Sequence, residues 1–134
     1  MPQETRRDFL QHTSAVTASL ALATQSLIGK EPASKRVRVG IMGAGGRAFS
    51  LINSFAANPN VEVVAIADLD PSKLPRGLEA AEKLQGKKPR SESDFRKLID
   101  DATIDALVIG TPDHWHAIPT ILACQAGKDV YVEK

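Results

Sequence analysis

A β-branched run that breaks into glycines and reopens as an amphipathic stripe constrains this chain most: Arg36-Val-Arg-Val-Gly-Ile-Met-Gly-Ala-Gly-Gly-Arg-Ala48. Val37, Val39 and Ile41 spell a strand, and Gly43 permits a tight turn at its end. Ala48, Leu51, Ile52 and Phe55 then recur at the three- and four-residue spacing of a helix lying on a sheet. Gly45 has no Cβ, so a pyrophosphate can approach the backbone closely while the amides opening the helix point toward it. Ala48 stands where a third glycine often does and is small enough for close helix-to-strand packing, giving G-x-G-x-x-A.

A glycine triplet alone is weak evidence, and its context strengthens it. A second apolar run, Val61-Glu-Val-Val-Ala-Ile-Ala67, ends in Asp68, 25 positions beyond Gly43, where the ribose-binding acid of a dinucleotide site falls. A carboxylate there accepts hydrogen bonds from a ribose 2′-hydroxyl and repels a 2′-phosphate, which favours NAD over NADP. Lys73 and Arg76 lie close enough downstream to soften that repulsion. The plainer reading of Asp68 is a strand-end acid capping the next turn, and of the whole pattern a nucleotide-free α/β domain with a glycine turn.

The alternation continues to residue 134. A helix is expected over residues 74–84, with Leu74, Leu78 and Ala81 on one face, followed by a short strand near 89–92. Residues 93–100 read as a helix capped at its start, with Phe95, Leu98 and Ile99 pointing inward. Residues 105–110 are apolar enough for a buried parallel strand. A helix over 117–126 carries Pro119 in its first turn and Gly127 as its stop, and a last strand covers 129–134. The fold class is α/β, a Rossmann-like doubly wound parallel sheet, over residues 35–134.

The first 34 residues read differently. Thr5-Arg-Arg-Asp-Phe-Leu-Gln11 resembles a twin-arginine export signal, and residues 14–28 follow as a mildly apolar stretch too short and too weakly apolar for a membrane span. The competing reading is an ordinary amphipathic helix with two surface arginines. Export implies a periplasmic location, the export machinery as a partner, and a dinucleotide carried tightly from the cytoplasm. Net charge is +1 with acids and bases interspersed, and only 4% of residues are aromatic, so nothing points to nucleic acid. Cys124 is the only cysteine, which excludes an internal disulfide; it is expected as a small buried side chain on a helix.

Thr111-Pro-Asp-His-Trp-His-Ala117 lies just past the carboxyl end of an expected strand, the edge where open parallel sheets bind ligands. His114 and His116 alternate as metal ligands can, but two imidazoles are too few and the only other histidine, His12, sits in the leader, so no metal is expected. Trp115 is open to two readings: packing at a strand end, or a ring against nicotinamide or substrate.

Val39-Gly-Ile-Met-Gly-Ala-Gly-Gly-Arg47, Ala67-Asp68, Thr111-Pro-Asp-His-Trp-His116 and Val132-Glu-Lys134, in this order and spacing, resemble the amino-terminal half of the Gfo/Idh/MocA oxidoreductases. The resemblance covers residues 36–134. It implies that Gly43, Gly45, Gly46, Arg47 and Asp68 hold the pyrophosphate and adenosine end of NAD. Thr111, Pro112, Trp115 and His116 would lie along the cofactor, and Glu133 would line its nicotinamide end. Lys134 would be the lysine that hydrogen-bonds the reacting hydroxyl and helps move its proton. A cationic amine beside a nicotinamide favours the alkoxide that develops as hydride leaves an alcohol carbon. The family places its substrate between this domain and a larger α/β domain that supplies further catalytic groups. The chain therefore reads as the cofactor half of an exported enzyme, inactive alone, acting at full length on a sugar or polyol and forming a homo-oligomer. The alternatives are a glycosidase of the same family with transiently reduced NAD, and a dinucleotide-binding module without catalysis.

Overall fold

The computed structural model describes residues 36–134, and the leader with its twin-arginine motif lies outside them. Five strands form one parallel sheet in the order β3-β2-β1-β4-β5: β1 Val37–Met42, β2 Val61–Ala67, β3 Arg90–Glu92, β4 Ala106–Ile109 and β5 Asp129–Val132. Between them run α1 Gly46–Ala56, α2 Leu74–Gln85, α3 Arg96–Asp100 and α4 Ala117–Gln125. The order reverses at β1, which has β2 on one side and β4 on the other, the topology that opens a crevice at the carboxyl ends of the strands.

Two apolar layers hold the sheet. Val39, Ile41, Ile66 and Val108 pack against Leu51 and Ile52 of α1 and Leu74 and Leu78 of α2. On the other face Met42, Ala65, Leu107 and Ile109 meet Leu98 and Ile99 of α3 and Ala123 of α4. β2 departs from strict alternation: Val39 pairs with Val63 but Gly40 with Ala65, so Val64 is an inserted residue. Val64 and Ala65 consequently face the same layer, and the pattern resumes one position out of phase.

α2 starts with proline in its first turn and stops at Gly86, whose φ of 76° is the left-handed cap geometry. α3 begins later than the expected residue 93. Asp94 forms a turn before it, its Oδ1 accepting the Arg96 amide at 3.0 Å, and the helical span is Arg96–Asp100. Phe95 is only partly buried, beside the buried Leu98 and Ile99. Cys124 corrects the expectation of burial: it is on α4 but exposed, because the buried position of that turn is Ala123 and the next residue points about 100° away. No helix among the described residues is long and apolar enough to cross a membrane.

Candidate functional site

A cleft of about 790 Å³ runs along the carboxyl edge of the sheet, within the range of small-molecule sites. The β1–α1 turn forms its floor. Gly43 holds φ at 100° and Gly46 at 49°, both disfavoured for side-chain-bearing residues. A Cβ on Gly43 would lie 3.0 Å from the Cβ of Ala48, and one on Gly110 would lie 2.8 Å from the Ala48 Cα. The turn, α1 and the end of β4 are thus nested so closely that Gly110 is needed as much as the glycines of the motif. No side chain caps α1 at Gly45, which leaves its first-turn amides facing the cleft without an internal partner.

Asp68 sits at the end of β2, the strand beside β1, and reaches that turn directly. Its Oδ2 accepts the Ala44 amide at 2.8 Å and its Oδ1 accepts the Asp70 amide at 2.9 Å. The two readings of this acid are therefore not exclusive, since it caps the following turn and ties the glycine turn to β2. A carboxylate has about four acceptor positions, so two backbone bonds leave capacity for the hydroxyls of a ribose. The basic groups that would offset its repulsion of a 2′-phosphate are engaged nearby. Lys73 Nζ lies 3.6 Å from Asp70 Oδ2, and Arg76 stacks 3.8 Å over the Phe49 ring.

The far wall is built after β4 and β5. Pro112 leads into a 3₁₀ turn, Asp113–Trp115, which presents a half-exposed Trp115 to the cleft beside His114. The Thr111 hydroxyl is buried without a hydrogen-bond partner among the described residues. An unpartnered buried hydroxyl is unfavourable, so a bound group that reached it would be favoured. After β5, the Glu133 amide donates to the Ile109 carbonyl at 3.0 Å, and Glu133 and Lys134 line the cleft. The Glu133 carboxylate accepts from Arg47 Nε at 3.0 Å, and that hydrogen bond holds its carboxyl below the usual carboxylate range.

Gly43, Gly45, Gly46, Arg47, Asp68, Thr111, Pro112, Trp115, Glu133 and Lys134 thus surround one cleft. His116 does not line it. Its Nε2 donates to the Thr111 carbonyl at 2.6 Å, which fixes the proton on that nitrogen and ties the loop together from behind. Lys73, expected from sequence beside Asp68, lines the cleft; sequence reasoning missed Leu69, which is 78% exposed, and the Ser93–Phe95 segment after β3. The signal for the last was available, since every segment just past a carboxyl strand end belongs to the same edge. Among the described residues no three His, Cys, Asp or Glu side chains are grouped to hold a metal ion. The donor set fits a dinucleotide instead: bare amides for a pyrophosphate after β1, an acid after the neighbouring β2 for a ribose, and an aromatic ring and a lysine after β4 and β5.

Comparison with known proteins places the chain independently. The model of the oxidoreductase family with an NAD-binding Rossmann fold, Gfo/Idh/MocA, matches residues 37–134. A glycosyl hydrolase family 109 protein of Shewanella sp. is 33% identical over 96% of this chain and 33% of its own length. An alpha-N-acetylgalactosaminidase of Shewanella oneidensis is 32% identical over the same shares. Among solved structures, scyllo-inositol dehydrogenase from Lactobacillus casei with bound NAD(H) and scyllo-inositol superposes with a TM-score of 0.63 at 28% identity, over 75% of this chain and 28% of that one. The WlbA dehydrogenase of Bordetella pertussis, in complex with NADH and UDP-GlcNAcA, gives 0.60 at 32% identity, over 75% of this chain and 29% of that one. The chain spans about a third of the length of the curated relatives it matches.

Proposed function

The chain belongs to the Gfo/Idh/MocA oxidoreductase family and carries its NAD-binding Rossmann domain, and from that premise we propose that it is the cofactor-holding part of an exported enzyme that oxidises a sugar or polyol hydroxyl. One observation carries the reading: along the carboxyl edge of the sheet one cleft is lined by Asp68 after β2, the glycine turn after β1, Trp115 after β4, and Glu133 and Lys134 after β5. Bound NAD supplies the hydride acceptor. The amides of Gly45 to Arg47 hold the pyrophosphate, and Asp68 accepts from the adenosine ribose. Trp115 would flank the nicotinamide end, while the Lys134 ammonium would hydrogen-bond the reacting oxygen and stabilise the negative charge that develops on it as its proton passes to a base from the further catalytic domain that the family resemblance implies. NAD is favoured over NADP because the Asp68 carboxylate beside the glycine turn would repel a 2′-phosphate, against which Lys73, paired at 3.6 Å with Asp70, offers partial compensation while Arg76 is stacked on Phe49.

A second reading is supported by the names of the relatives at 32–33% identity, a glycosyl hydrolase and an alpha-N-acetylgalactosaminidase. In a glycosidase of this family the sugar is oxidised only transiently, the glycosidic bond breaks by elimination, and no net redox change results. With the full-length protein, accumulation of NADH or oxidised sugar supports the dehydrogenase, and sugar release at catalytic NAD supports the glycosidase. Export by the twin-arginine route, and with it a periplasmic site and a slowly exchanging cofactor, belongs to the same proposal. Rapid loss of NAD on dialysis of the full-length protein would count against a slowly exchanging cofactor.

The chain itself offers a direct test of binding. Trp115 is its only tryptophan and lines the cleft, so its emission reports occupancy without turnover. Titration with NAD is expected to change that emission saturably, with NADP weaker by about tenfold or more, the size of losing one well-made charged interaction. A folded chain that binds neither, by emission or by calorimetry, would overturn the proposal.

A further inference from the structure

Arg47 and Glu133, expected from sequence as separate contacts to opposite ends of a cofactor, are one unit in the structure. Arg47 is the second residue of α1 and Glu133 follows β5, 86 positions away, and their side chains meet at 3.0 Å across the end of β4. We propose that Glu133 is a positioning residue, its carboxylate holding the Arg47 guanidinium poised for the pyrophosphate of the dinucleotide. This rests on NAD occupying the cleft as described above.

The two partners differ in the way such a device requires. Arg47 is a long arm with 59% of its side-chain surface exposed, and left alone it would lose rotamer freedom on meeting a ligand. Glu133 is fixed: its amide continues the β4–β5 ladder to the Ile109 carbonyl, and its side chain is only 13% exposed. The bond uses only the Nε–H of the guanidinium. Its terminal N–H groups have no partner among the described residues, and Arg47 lines the cleft beside the uncapped start of α1. A planar fork tethered at its inner nitrogen presents its outer edge, the geometry that meets phosphate oxygens in pairs. A glutamate is ionised at neutral pH and the bond from Arg47 lowers its pKa further, so the tether is charged on both sides there.

The sign of one substitution separates this role from its rivals. A carboxylate near a bound pyrophosphate repels it, so a Glu133 that acted only through its charge would weaken binding, and removing it would strengthen binding. A Glu133 that touched the nicotinamide would matter for NAD and not for ADP, which ends at the pyrophosphate. The experiment is calorimetric titration of the chain with NAD and with ADP, using wild type, Glu133→Ala, Glu133→Gln, Arg47→Ala and the double variant Arg47→Ala/Glu133→Ala, each checked for an intact far-UV spectrum. Glu133→Ala is expected to weaken both ligands by about tenfold, and Glu133→Gln, which keeps an acceptor oxygen, by about threefold. The double variant is expected to bind no more weakly than Arg47→Ala. Unchanged or tighter binding by Glu133→Ala, a loss seen with NAD alone, or additive losses in the double variant would overturn the proposal. Should Glu133→Ala fail to fold, the same cycle built on Glu133→Gln decides it. A wild-type chain silent to both ligands overturns the proposed function as well, whereas losses confined to the wrong variants overturn only this inference.

Discussion

α1 and α4 each follow a parallel strand through a turn at the sheet's carboxyl edge, yet they are built for different surroundings. α1 buries Ala48, Leu51, Ile52 and Ala56 and is itself packed by α2, where Gly77 lets Ile52 approach. α4 buries only Pro119 and Ala123, and Ile118, Ile121 and Leu122 are exposed. β5 beside it is an edge strand with Tyr131 and Val132 exposed. The glycine turn and Asp68 therefore stand on a completed core, and the Trp115 loop and the end of β5 stand beside apolar surface that the described residues leave uncovered. Buried apolar packing is concentrated in the first region, and exposed apolar surface in the second.

The contrast is broken most forcefully by matched truncations. Ile52→Ala, at a fully buried position, is expected to destabilise the chain by about 2–5 kcal/mol, while Ile121→Ala on α4 changes stability by less than about 0.5 kcal/mol, both read by urea unfolding. Comparable losses at the two sites would mean that α4 is as integral as α1. Gly110→Ala, which drives a Cβ into the Ala48 backbone, is expected to cost about 1–3 kcal/mol and so to show that the turn, α1 and β4 form one rigid unit. A neutral result would show that α1 can shift away from β4.

A finer probe is the acid itself. Asp68→Asn keeps one acceptor oxygen for the two amides of Ala44 and Asp70 and removes the charge, so NAD affinity is expected to fall about tenfold in titration, with a melting-temperature loss of about a few degrees for the one hydrogen bond given up. The smallest effect is expected at Asp101, between α3 and β4. Hydrogen bonds from Thr103, then from Arg90, hold its carboxyl at about 2, below the ordinary 3.8. Because the folded value is depressed, its contribution is full above about pH 4 and disappears as pH falls toward 2. The melting temperatures of wild type and Asp101→Asn should differ above that window and converge at its lower end. Curves that stay parallel throughout would remove Asp101 from the account.

How much of this was legible in the sequence follows from the range of the interactions involved. The glycine turn, Asp68 and the helix stops at Gly86 and Gly127 are local devices, each needing one special residue at one backbone position, so the string displays them. Gly110 was read only as the end of a strand, because the Ala48 backbone that forbids a side chain there comes from 62 positions earlier. His116 was expected on the cofactor because its loop was placed correctly, while the bond that turns its ring toward Thr111 depends on the fold of that loop. Cys124 was misplaced because α4 is apolar on most sides, leaving no stripe from which to read a buried face. The Arg47–Glu133 pair joins two motifs that the sequence shows only separately.

The most direct measurement is an experimental structure of the chain with NAD. The account places the pyrophosphate against the amides of Gly45 to Arg47, the adenosine ribose hydroxyls on the Asp68 carboxylate, and the nicotinamide toward Trp115 and Lys134. A dinucleotide bound elsewhere, or lying in the cleft with its ribose away from Asp68, would contradict it.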